Sequence, residues 1–154
     1  MRRILFYLCC LILTAAGTSC SNDDDNIIDG SKETFSFREP LTSWTVAQAE
    51  VMDYMSGYTL VSTSAHSLIY EGKDSESSYL YAFADSDETL TYAVVTFDLS
   101  FSDEVSAFLS GKYKADGYSD GRRLYHNDDG STVIFTSSDK ELYLTYMSAS
   151  KMSR

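Results

Sequence analysis

Apolar and polar residues alternate along this chain with two different periods. Ala47, Val51 and Met55 recur at every fourth position, the spacing of one helical face. Thr45-x-x-Gln48 has the form of a capping box, Pro40 precedes it, and Gly57 would end the helix. A second helix is expected from Ser102. Asp103 and Glu104 suit the positive end of its dipole, and Val105, Phe108 and Leu109 form an apolar stripe that runs out between Gly111 and Gly117. The other patterned stretches read as strands: 58–63, 67–71, 78–84, 89–98, 123–126, 131–137 and 141–148. They are rich in Tyr, Val, Thr and Leu, and several alternate with period two. Turn chemistry separates them at Glu71-Gly72-Lys73-Asp74, Asp85-Ser86-Asp87-Glu88, Asn127-Asp128-Asp129-Gly130 and Ser137-Ser138-Asp139-Lys140.

Two of these stretches are alike. FADSDETLTYAVV from Phe83 and FTSSDKELYLTYM from Phe135 match at Phe83/Phe135, Ser86/Ser138, Asp87/Asp139 and Leu90/Leu142. Each half also places a tyrosine about twenty residues beyond its helix's central valine, Val51 to Tyr70 and Val105 to Tyr125. Any two hairpins can share a turn by chance, but the shared order of helix, strand and hairpin predicts a tandem repeat over 43–98 and 102–148. The expected fold class is therefore α+β: one domain, 35–154, with an antiparallel sheet and both helices on one face. This element order resembles the tandem units of the beta-lactamase-inhibitor-protein and BamE-like folds of bacterial envelope proteins. The resemblance carries no functional residues.

Period two also assigns faces. In a common register Tyr81, Phe83, Leu90, Tyr92 and Val94 share the core face with Phe135, Leu142, Leu144 and Tyr146. The opposite face then carries Leu80, Ala82, Ala93, Val95 and Phe97 in one half and Ile134, Tyr143 and Met147 in the other. That is too apolar for a fully solvated face. Either residues 35–43, 58–63 or 99–101 fold over it, or it binds a partner; its candidate contact residues are Leu80, Val95, Phe97, Ile134, Tyr143 and Met147.

The amino terminus has a different character. Met1-Arg2-Arg3 is a short positive segment, and Ile4 to Ala16 is an apolar run too short to cross about 30 Å of hydrocarbon as a helix. A charged start, a short apolar core and small residues before a cut describe an export signal, 1–19, rather than a transmembrane anchor. Gly17-Thr18-Ser19-Cys20 resembles the lipobox of bacterial lipoproteins, with Gly17 where leucine is commonest. The resemblance implies cleavage before Cys20 and acylation of that cysteine. The following Ser21-Asn22-Asp23-Asp24-Asp25 resembles the acidic export tag of surface-exposed lipoproteins of the Bacteroidota. Residues 20–34 then read as a polar, lipid-anchored tether spanning roughly 20 Å. These resemblances imply outer-membrane attachment through lipid, at the cell surface or facing the periplasm.

Cysteine use and charge fit that compartment. Cys9 and Cys10 lie in the signal, so an acylated Cys20 leaves the folded domain without a thiol or disulfide. Loss of Arg2 and Arg3 with the signal takes the formal charge from −11 to −13. No basic stripe exists to neutralise phosphates, which argues against nucleic acid, and electrostatic adhesion to anionic lipid is equally disfavoured. The charge keeps the protein soluble or recruits a cationic partner.

Catalytic chemistry finds little to work with. His66 and His126 sit in or beside expected turns without ligand spacing, and neither HExxH nor GxSxG occurs. SxxK appears at Ser137/Lys140 and Ser148/Lys151, but without SDN or KTG partners. The acidic stretches 23–25, 85–88 and 127–130 offer oxygens to calcium, yet none has DxDxDG spacing, and turn capping accounts for the last two. No catalytic, cofactor or metal residue is assigned. The expected function is a non-enzymatic protein-binding or accessory lipoprotein. The alternative is a glycan-binding module that stacks sugars on Trp44, Tyr113 and Tyr118, and a small hydrolase comes third.

Overall fold

A computed structural model describes residues 34–86 and 88–151. In chain order its elements are α1 (Gln48–Tyr54), β1 (Leu60–Ser64), β2 (Ser67–Glu71), β3 (Glu76–Phe83) and β4 (Leu90–Asp98), then α2 (Ser102–Lys112), β5 (Lys114–Ser119), β6 (Arg122–His126), β7 (Ser131–Ser137) and β8 (Glu141–Ser148). All eight strands form one antiparallel sheet in the order β1-β2-β3-β4-β8-β7-β6-β5. Each run of four strands is a meander, and the two runs meet where β4 pairs with β8. The α+β class follows directly, with α1 before the first meander and α2 between the two. The signal, Cys20 and nearly all of the tether lie outside the described residues.

Local sequence explains where the helices start. The N-cap of α1 is Ala47, two residues beyond Thr45, because Glu50 supplies the returning half of a capping box. The Ala47 N–H donates to Glu50 Oε2 at 3.0 Å. Gln48 donates instead through its side chain to the carbonyls of Ser64 and Ala65, both at 2.9 Å, fastening α1 to the β1–β2 turn. α2 begins at Ser102 with Asp103 and Glu104 in its first turn, as the dipole favours.

Val51 of α1, Met55 at its C-cap, and Val105 and Leu109 of α2 are fully buried in one cluster with Leu68, Tyr70, Tyr79, Tyr81, Val95, Phe97, Leu142, Leu144 and Tyr146. Register puts these strand residues on a single face: Tyr70 opposite Tyr79, Tyr79 opposite Val95, Val95 opposite Leu144 and Tyr146 opposite Val133. The segment before α1 joins them on the same side. Phe37 packs edge-on against Phe97 at 5.0 Å and Phe108 at 4.9 Å. Backbone exchange secures it: the Tyr79 hydroxyl donates to the Arg38 carbonyl at 2.7 Å and accepts the Arg38 N–H at 3.2 Å.

The face assignment read from the sequence fails in β4. Ala82 pairs with Tyr92, but Phe83 pairs with Leu90, so Thr91 is an extra residue in a bulge. One inserted residue reverses every side chain beyond it. Leu90 therefore keeps its expected core position, while Tyr92 and Val94 turn to the other face and Ala93, Val95 and Phe97 turn into the core. A second departure is β5. Lys114–Ser119 is not among the strands expected from the sequence, yet it pairs along β6 with a bulge between Ala115 and Gly117. Asp120 (φ 50°) and Gly121 (φ 77°) make the two-residue turn that closes this hairpin with the strands' own twist.

Candidate functional site

Two surfaces bring chemistry-bearing side chains together, one on each side of the sheet. On the helix-free side the bulge at Thr91 and the β4–β8 pairing set Tyr92, Val94 and Thr96 beside Met147, Thr145 and Tyr143. β3 adds Leu80, and β7 adds Ile134 opposite Thr145. Leu80, Val94, Ile134, Tyr143 and Met147 are half-buried. A shallow hollow of ≈ 430 Å³ lies on this face, lined by Val94, Ile134, Thr136, Tyr143, Thr145 and Met147 together with Arg122. Tyr143 is held in place by its hydroxyl, which donates to Glu141 Oε2 at 2.6 Å; that bond raises the tyrosine's pKa. Of the six residues proposed for this face, Leu80, Ile134, Tyr143 and Met147 lie on it. Val95 and Phe97 do not: both are fully buried in the core, because the β4 bulge moves them there.

None of the three segments considered as a cover lies over this face. Phe35, Phe37 and Leu41 pack against the core, as does Phe101, and β1 extends the sheet at its edge.

On the helix side, α2 and the β5–β6 hairpin leave a cleft. Two adjoining hollows, ≈ 520 Å³ and ≈ 260 Å³, share Tyr118 and Arg123 as lining. The larger adds Ser110, Tyr113, Ala115, Gly117, Leu124 and Tyr125. The smaller adds Leu99, Ser102, Ser106, Gly121, Phe135 and Ser137. Tyr118 and Arg123 are cross-strand partners on the hairpin, the second pair in from its tight turn. Tyr113 is anchored at the cleft's base, where its hydroxyl donates to Glu39 and Lys112 also meets that carboxylate. Burial, and after it the bond to Glu39, holds the Tyr113 pKa well above the ordinary tyrosine value. Of the three aromatic residues considered for sugar stacking, Tyr113 and Tyr118 share this cleft. Trp44 does not line it and packs partly buried against the core.

The remaining candidates resolve locally. His66 Nδ1 meets Asp85 at 3.0 Å on exposed turns, and neither residue lines the hollows described above. The oxygens of the 127–130 turn are occupied: Asn127 Oδ1 and Asp129 Oδ1 both accept the Ser131 N–H, and Asp128 takes Lys114 at 2.6 Å. In the Ser137/Lys140 pair, neighbouring Ser138 organises the turn by accepting the N–H groups of Lys140 and Glu141. Among the described residues no three histidine, cysteine, aspartate or glutamate side chains gather as a metal-binding group. No described helix is long and apolar enough to cross a membrane, which leaves strand-built spans untouched.

With this geometry in hand, comparison with known proteins finds no matching family model, no similar curated protein and no similar solved structure.

Proposed function

We propose that this protein is a lipid-anchored accessory module of the bacterial outer envelope that binds a protein partner through the helix-free face of its sheet, without catalysis. The observation that carries this reading is the uncharged middle of that face in a chain of formal charge −11. From Leu80 through Tyr92, Val94, Tyr143, Thr145 and Met147 to Ile134, the middle of the face holds only apolar, threonine and tyrosine side chains. Arg122 joins the lining of the hollow from β6, and Glu141 lies at the start of β8, bonded to Tyr143. The four central strands, β3, β4, β8 and β7, about 4.8 Å apart and five residues deep, present roughly 300 Å², enough for the apolar centre of a standard interface of ~800 Å² per partner. A broad, shallow, uncharged surface suits a protein partner with a matching apolar patch better than a small ligand.

The reading extends to the fold's origin as a tandem repeat, for which register is the support. Leu60 faces Tyr70 and Ser62 faces Ile69 across one bulge; Ala115 faces Tyr125 and Gly117 faces Leu124 across the other. Val51 and Met55 correspond to Val105 and Leu109. In this alignment Tyr81, not Phe83, corresponds to Phe135, because Tyr70 pairs with Tyr79 as Tyr125 pairs with Val133.

Two experiments test the reading. A photo-crosslinking residue at Tyr143 should give a discrete product in intact cells that the same residue at Met52, exposed on α1, does not. Equal products from both positions, or none, would refute the binding face. For the anchor, Cys20→Ala should move the protein from the detergent phase to the aqueous phase of a detergent partition, and unchanged partition would refute acylation.

A further inference from the structure

We infer that the cleft between α2 and the β5–β6 hairpin is a binding site for a carboxylated sugar, on the side of the sheet away from the proposed partner face and independent of it. The first observation is a contrast between the two hairpins. In β1–β2 the second cross-strand pair in from the turn is Thr63 and Leu68, and Leu68 is fully buried. In β5–β6 the same position holds Tyr118 and Arg123, both exposed, and the space beside them is the cleft. A position that builds core in one hairpin carries a cation in the other.

The second observation is charge. Lys112, Lys114, Arg122 and Arg123 gather within twelve residues of an otherwise acidic chain. Lys112 is spent on Glu39 and Lys114 on Asp128. Arg123 has no hydrogen bond or ion pair with any described residue, and it lines both hollows. Asp120 and Asp128, the carboxylates nearest in sequence, line neither. An arginine fork free to act in a half-enclosed groove is matched by a carboxylate, which it takes in bidentate fashion.

The remaining walls say what the carboxylate is attached to. Tyr118 is 70% exposed and offers a ring face beside the Asp120-Gly121 turn. Ser102, Ser106 and Ser110 recur at every fourth position, so they share the side of α2 that lines the cleft, and Ser137 joins them from β7. Hydroxyls both donate and accept, which complements a ligand that is itself rich in hydroxyls. Together the hollows fall within the volume range of small-molecule sites. A ring with several hydroxyls and one carboxylate, such as a uronate, meets all three features: ring on Tyr118, carboxylate on Arg123, hydroxyls toward the serines.

The test is calorimetric titration of the protein with a uronic acid disaccharide, its neutral hexose counterpart, and acetate. Saturable uronate binding at least tenfold tighter than that of either control is expected. Arg123→Gln should weaken it about ten- to a hundredfold, the range for losing a charge-assisted pair. Tyr118→Ala should weaken it and Ser106→Leu should block it. All three positions border the cleft rather than the core, and unchanged far-ultraviolet circular dichroism and melting would confirm intact folding. Absence of uronate binding, equal binding of acetate, or full binding by Arg123→Gln would each overturn the assignment. Ile134→Glu, on the far face, should leave uronate binding unchanged, which separates this site from the partner surface.

Discussion

Raising the pH should unfold this protein steeply, because its core is built from tyrosine. Tyr79, Tyr81 and Tyr146 are fully buried, and burial is the leading cause that raises the pKa of each. Below about pH 10 folded and unfolded chains hold the same phenolic protons, so these groups leave stability independent of pH. Above it the unfolded chain releases protons that the folded chain keeps, and stability falls by about 1.4 kcal/mol per pH unit for each buried tyrosine. With Tyr113, whose pKa burial also raises, four such groups give about 5–6 kcal/mol per unit, against a total stability of ~5–15 kcal/mol for a typical domain. Unfolding should therefore be complete one to three units above pH ~10. Tyr146 is the informative position, since its hydroxyl is buried and has no hydrogen-bond partner among the described residues. Tyr146→Phe should stabilise the protein at pH 7 by about 1 kcal/mol or leave it unchanged. It should also flatten the alkaline slope by about one quarter. Urea titrations from pH 7 to about 11, followed through the fluorescence of Trp44, measure both quantities. A wild-type slope in the variant, or folded protein whose tyrosines all ionise near pH 10, would refute the reasoning.

Other perturbations follow from packing. Gly72→Ala would place a Cβ 1.8 Å from the Glu76 carbonyl oxygen, a clash between backbones that should cost about 3 kcal/mol in chemical denaturation. Gly57→Ala meets nothing within 4 Å and should stay within about 0.5 kcal/mol of wild type, so equal losses at both glycines would contradict the geometry. Leu109→Ala removes a fully buried side chain from α2 and should cost about 2–5 kcal/mol with an unchanged denaturant slope. Gly121→Ala, at φ 77°, should cost about 1 kcal/mol; hydrogen exchange in β5 and β6 should rise while that in β2 and β3 stays unchanged.

The candidate surfaces were legible to different degrees. Leu80, Ile134, Tyr143 and Met147 could be placed on one face from alternation alone, because no irregularity interrupts β7 or β8 between them. Val95 and Phe97 could not, since a bulge is an extra residue that only the pairing partner reveals. Arg123 carried no signal as a site residue. Its meaning depends on its cross-strand neighbour Tyr118 and on the serine side of α2, and neither adjacency is local.

What the sequence determined by itself is the set of elements governed by short-range physics. Fourfold spacing and first-turn acids located both helices. Alternation between turn residues located β2, β7 and β8 to the residue and four other strands to within a few positions. The tertiary structure decided the rest. Lys114–Ser119 has poor strand propensity and becomes β5 only because β6 and the Asp120-Gly121 turn hold it at the sheet edge. The inserted Thr91 decided which face of β4 is core, since a shift of one residue inverts a period of two. The pairing of β4 with β8 joined two meanders into one sheet, a choice made between segments about fifty residues apart, where local propensity has no voice.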